Sequence, residues 1–147
     1  METNIINAAD VPFNYARCIS AACPLASACL RAIAWRLLGT DEPTATVLNP
    51  AVTSDDATCA YYRDSSPVAY ARGFTGMQRR MYPDQYAAFM QACVRRFGRS
   101  AYFKRRRGEI AMPPSEQDFV LAAARHAGAP ADVGFDAYEQ CVNWNGD

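Results

Sequence analysis

A chain of 147 residues, half of them apolar and a fifth charged, has the make-up of a globular protein, which excludes wholesale disorder. Fifteen basic residues cancel fifteen acidic ones, and no apolar run reaches the ~18–20 residues of a membrane span, so no membrane attachment is expected. The length suits one domain over residues 1–147, and the polar opening METNIINAADVPFNY lacks the basic start and apolar middle of an export signal, which makes the cytoplasm the expected compartment.

Residues 1–22, polar and turn-rich with Pro12 and Asn14, predict an extended arm containing a short turn. Over residues 26–38 the spacing of Leu30, Ile33, Ala34, Leu37 and Leu38 predicts an amphipathic helix stopped by Gly39. Residues 40–70 hold Pro43, Pro50 and Pro67 among Asp, Ser and Thr and read as a loop-rich connection, with short extended pieces at 45–48 and 68–71. Gly73 and Gly76 bracket a turn before a helical piece at 77–81. Pro83 then opens a helix whose apolar face is Tyr86, Phe89, Met90, Cys93, Val94 and Phe97, ending at Gly98. A basic helix can continue over 99–107. Ser115 with Asp118 three residues on predicts a capped start for the next helix, its stripe being Phe119, Val120, Ala123 and Ala124 and its end Gly128. Residues 135–142 predict a last short helix, with Phe135, Tyr138 and Val142 facing the core. Four helices with long irregular connections make a mainly α protein.

Charge is unevenly spread. Residues 1–62 carry net −3, residues 63–107 net +9 and residues 109–147 net −6. No acid lies between Asp84 and Glu109, where Arg95, Arg96, Arg99, Lys104, Arg105, Arg106 and Arg107 all fall. This 95–107 segment interleaves cations with Phe97, Tyr102 and Phe103, so it could meet phosphates while Tyr102 or Phe103 stacks on an unpaired base. A nucleic acid or a protein is the partner it would suit. Alternatively, the aromatics are core residues and the cations a solvated face paired with Glu109, Glu116 and Asp118. The single histidine, His126, leaves little room for a His-based catalytic or metal site, and no Gly-rich phosphate loop occurs. No nucleophile, base or catalytic cofactor can be named, so a non-catalytic role is expected.

Six cysteines stand at 18, 23, 29, 59, 93 and 141. Cys18, Cys23, Cys29 and Cys59 could close a tetrahedral zinc site or hold an iron–sulfur cluster, since both use four thiolates. The alternatives are reduced cysteines acting as small hydrophobes, a role that suits Cys93 and Cys141, or disulfides in an exported protein. Helix geometry discriminates. If the first helix began at Pro24, Cys23 and Cys29 would stand roughly 9 Å apart along it and could not share an ion. The metal reading therefore requires a start near Ser27.

The stretch Asn14-Tyr15-Ala16, Cys18, Cys23-Pro24 and Cys29-Leu30-Arg31 resembles the opening of a family of small proteins from gut Bacteroidota whose function is unknown. Agreement continues at Asn49-Pro50, Cys59 with Tyr61-Tyr62, Ala71-Arg72-Gly73, Tyr102-Phe103-Lys104, Arg107-Gly108-Glu109, Gln117, Phe135-Asp136, Tyr138 and Trp144. The resemblance brings no activity, substrate or partner. It implies that Cys18, Cys23, Cys29 and Cys59 occupy the family's cysteine positions and Cys93 and Cys141 do not. It also implies a cytoplasmic protein of anaerobes, where an oxygen-sensitive cluster survives.

Overall fold

Prolines and glycines punctuate this chain, and in the computed structural model, which describes residues 5–147, they mark where most helices begin and end. Residues 1–4 of the expected arm lie outside the described residues. The chain divides into two compact units, Met1–Pro67 with Val142–Gly146 and Val68–Cys141 with Asp147. Among the described residues there are five α-helices and one two-stranded antiparallel sheet. No helix is long and apolar enough to cross a membrane.

The first unit is mostly irregular. It holds a 3-10 turn at Ala8–Asp10 and one helix, α1 (Leu30–Arg36). The expected helix over 26–38 is thus shortened at both ends. Before it, the chain is drawn out against residues 63–65: Leu30 N–H donates to Arg63 O at 2.8 Å, Ser65 N–H to Ala28 O at 2.9 Å, and Cys29 bridges Asp64. Gly39, the expected stop, lies beyond the end and has no left-handed φ.

Arginines replace regular ladders as cross-ties here, because backbone carbonyls outside helices and sheets still need donors. Arg17, 8% exposed, donates from Nη1 to Ala34 O at the end of α1 (2.8 Å) and faces Glu42 at 3.6 Å. Arg31 donates to Tyr61 O (2.8 Å) and Ala16 O (2.9 Å), and its guanidinium lies 5.1 Å above the Tyr15 ring. Tyr15 in turn donates from its hydroxyl to Trp144 O at 2.8 Å, with the two rings edge to face at 5.1 Å.

The second unit carries the helices. β1 (Pro67–Arg72) leads into α2 (Thr75–Gln78), α3 (Pro83–Phe97), α4 (Arg99–Arg106), α5 (Pro114–Ala127) and β2 (Ala137–Val142), the last pairing with β1. Pro83 stands at the first turn of α3, where a missing N–H costs nothing, and Tyr82 N–H is taken up by Gln85 Oε1 at 3.0 Å. At Gly98 (φ +87) the chain leaves one helix and starts the next, a backbone conformation that side chains resist. α5 begins at Pro114 with Pro113 before it, so Ser115 lies inside the first turn and is not the cap. Two prolines set the helical entry φ and move the start two residues ahead of the expected one.

α3 packs against both α4 and α5, and the buried side chains are Ala71, Phe74, Met77, Phe89, Cys93, Tyr102, Met112, Val120 and Ala124. Phe74 meets Phe89 edge to face at 5.8 Å, and the Tyr86 and Tyr102 hydroxyls share a 2.9 Å hydrogen bond.

The expected final helix over 135–142 is a strand instead. Arg72 of β1 holds Glu139 of β2 at 3.0 Å, and Tyr138 is 58% exposed, not a core residue. The partner strand lies some seventy residues earlier in the chain, beyond the reach of any local periodicity.

Between them, Asp136 closes the start of α2. Its carboxylate accepts from Thr75 N–H (2.9 Å), Thr75 Oγ1 (2.7 Å) and Gly76 N–H (3.3 Å), while its own N–H donates to Gly73 O (2.8 Å). A Cβ on Gly73 would stand 2.6 Å from that carboxylate, and φ there is +77. Burial opposes ionisation of Asp136, but the bonds from Thr75 and Gly76, with Arg106 nearby, outweigh it and hold the carboxyl below the usual aspartate range. Asp136→Ala should cost about 1–2 kcal/mol, as loss of a helix cap does. A depressed pKa contributes stability above the ordinary carboxyl range and loses it as pH falls, so the gap from wild type should narrow below about pH 4. Urea unfolding at neutral and acid pH checks both the size and the sign.

Candidate metal centre

The four N-terminal cysteines reach one place by four different routes. Cys18 is tied through its N–H to Arg31 O at 3.0 Å, beside α1. Cys29 is the extended residue that immediately precedes α1, its C=O accepting from Ile33 N–H at 2.9 Å. Cys23 begins a run of turns, Ala26 N–H closing on Cys23 O and Ala28 N–H on Leu25 O, both at 3.1 Å. Cys59 opens another turn, closed by Tyr62 N–H at 3.3 Å. Ser20 donates to the Asp55 carboxylate and so links the loop of Cys18 and Cys23 to the loop of Cys59.

All four line a single cavity of about 20 Å3, together with Leu25, Ala32, Leu48, Tyr61 and Tyr62. That is room for one water-sized atom. Because α1 starts at Leu30 and not at Pro24, the geometric bar to Cys23 and Cys29 sharing a ligand does not apply. As placed, the thiols share the cavity walls without converging: among the described residues no three His, Cys, Asp or Glu side chains are grouped closely enough to hold an ion. Burial, with Asp64 and Cys29 adding negative charge, raises the Tyr62 hydroxyl above the usual tyrosine range, so it stays protonated at the cavity edge. The tyrosine wall was not anticipated from sequence; its only signal is the Tyr61-Tyr62 pair just beyond Cys59 and Ala60.

All six cysteines are free thiols. Cys93 is fully buried on α3, where burial pushes its thiol up to about 12, and it lies in the second unit's core as expected of a small hydrophobe. Cys141, on β2, is half-buried and its thiol is also raised, chiefly by burial and by Glu139 beside it.

The basic segment divides into two sets. Arg105 makes a two-pronged pair with Glu116 (3.0 and 2.9 Å) and lies 4.5 Å from the Phe97 ring centre. Arg106 donates to the Gln78 side chain, and Arg107 pairs with Glu109 at 2.6 Å. By contrast Arg95, Arg96, Arg99 and Lys104 are exposed and make no ion pair among the described residues. Arg96 covers Phe97 (5.5 Å) and Phe119 (5.7 Å), and Arg99 covers Phe103 (5.4 Å). Tyr102 is fully buried and cannot stack on a base. His126 lies in the last turn of α5.

Fold and site together define a small protein with a helical unit and a loop-built, cysteine-lined unit. The chain belongs to the family of unknown function DUF6078, whose model matches residues 1–144. No curated protein and no solved structure matches it.

Proposed function

We propose that the first unit is a non-catalytic binding or regulatory module stabilised by one zinc ion held by Cys18, Cys23, Cys29 and Cys59. The observation that supports this reading is the gathering of these four thiols, from residues 18 to 59, on one cavity of single-atom size. Cys18 and Cys29 are fixed beside α1, whereas Cys23 and Cys59 stand on turns that can draw inward around an ion. Four thiolates can hold zinc or a 4Fe–4S cluster, and metal analysis separates the two. Four protein thiolates fill a tetrahedral zinc and leave no position for substrate, so the ion acts as a staple for a unit with little regular structure. Reduced thiols and zinc suit a cytoplasmic setting.

Purification without oxygen, followed by measurement of zinc, iron and acid-labile sulfide per chain, tests it. Near one zinc per chain without visible colour is expected. Iron with sulfide and broad visible absorption would replace the single ion by a cluster, and a metal-free protein after growth with zinc would overturn the reading.

A further inference from the structure

The division of the basic segment carries an inference independent of the metal. Arg105, Arg106 and Arg107 are engaged within the second unit by Glu116, Gln78 and Glu109. What remains at the corner of α3 and α4 is Arg95, Arg96, Arg99 and Lys104, four exposed cations in a stretch that contains no acid. The nearest acids in sequence on the C-terminal side, Glu109 and Glu116, are already taken.

Two of these cations are not free to wave. Arg96 lies over Phe97 and Phe119, and Arg99 over Phe103. A guanidinium held above a ring keeps its N–H groups available for phosphate oxygens and offers its outer plane to an unpaired base. The rings themselves are half-buried and covered, so the stacking surface is arginine and not aromatic.

We propose that Arg95, Arg96, Arg99 and Lys104 form a docking surface for single-stranded nucleic acid, with the phosphate backbone as the principal ligand. The neighbouring Arg105, Arg106 and Arg107 serve the fold. Flat guanidiniums beside exposed point charges favour a strand whose bases are unpaired over a duplex.

Fluorescence anisotropy with a labelled single-stranded RNA of about 20 nucleotides tests this on the full chain. Four contacts predict a salt slope near 3, and so a loss of about 50-fold in affinity between about 50 and about 200 mM salt. Replacing Arg95, Arg96, Arg99 and Lys104 together by Gln should weaken binding by about tenfold or more at the lower salt and flatten the slope. A control replacing Arg36, Arg79, Arg80 and Arg125 by Gln removes the same charge elsewhere and should bind as wild type does. Circular dichroism and melting confirm that both variants fold. No binding by wild type, or equal weakening in the two variants, overturns the proposal. Equal affinity for a poly-glutamate chain of matched charge would make the surface a general anion binder and overturn it too, as would tighter binding of a duplex of the same length.

Discussion

Exchange of Cys59 for serine should bring zinc from near one per chain to near zero and lower the melting temperature by about 10 °C or more. An ion present at about 1,000 times its dissociation constant adds about 4 kcal/mol to the folded state, and each kcal/mol is worth roughly 2–8 °C in a domain of this size range. Cys23→Ser should do the same, since both residues stand on turns of the loop-built unit. Cys93→Ser is the informative contrast. Its side chain is sealed in the other unit's core, where a hydroxyl without a partner costs about 1–3 kcal/mol, so stability falls while zinc is retained. Metal analysis and calorimetry on the three variants separate the two effects. Full zinc in Cys59→Ser would remove that residue from the site.

Tyr102→Ala should cost about 3–5 kcal/mol, the usual penalty for emptying a large aromatic from a core. Tyr102 has no exposed surface, tilts against Phe74 with ring centres 5.7 Å apart, and meets Phe103 edge to face at 5.1 Å. Burial pushes its hydroxyl well above the usual tyrosine range, with the Tyr86 bond adding to the effect, so it stays neutral wherever the protein is folded. Tyr102→Phe keeps the ring and loses only the 2.9 Å bond to Tyr86, so about 1 kcal/mol is expected. Denaturant unfolding gives both values. The Phe variant should also leave RNA affinity unchanged, because the ring at position 102 is a core side chain out of reach of a base.

The helices of the second unit were legible because their signals are local. Pro83, Gly98 and Gly128 sit where a helix opens or closes, and the stripe through Phe89 and Cys93 faces the core at 3.6-residue spacing. β2 was not legible, since Phe135, Tyr138 and Val142 mimic a helical stripe and nothing nearby announces a strand partner at residues 67–72. Ser115 misled for a smaller reason, two prolines outweighing a capping hydroxyl. For the site, spacing was enough to pick out Cys18, Cys23, Cys29 and Cys59, but their common cavity depends on backbone bonds to residues 31, 63 and 65 that no motif encodes. The basic segment looked uniform in sequence. Its split depends on Glu116 and Gln78, which are distant along the chain.

The first unit is discontinuous: it needs Val142–Gly146 as well as Met1–Pro67, and Tyr15 receives both its edge-on ring and its carbonyl acceptor from Trp144. Tyr15 and Trp144 are 129 positions apart, so this contact closes a loop of nearly the whole chain and carries a correspondingly large entropic cost. Part of what ties down the segment ahead of Cys18 is thus a long-range closure and not a local turn.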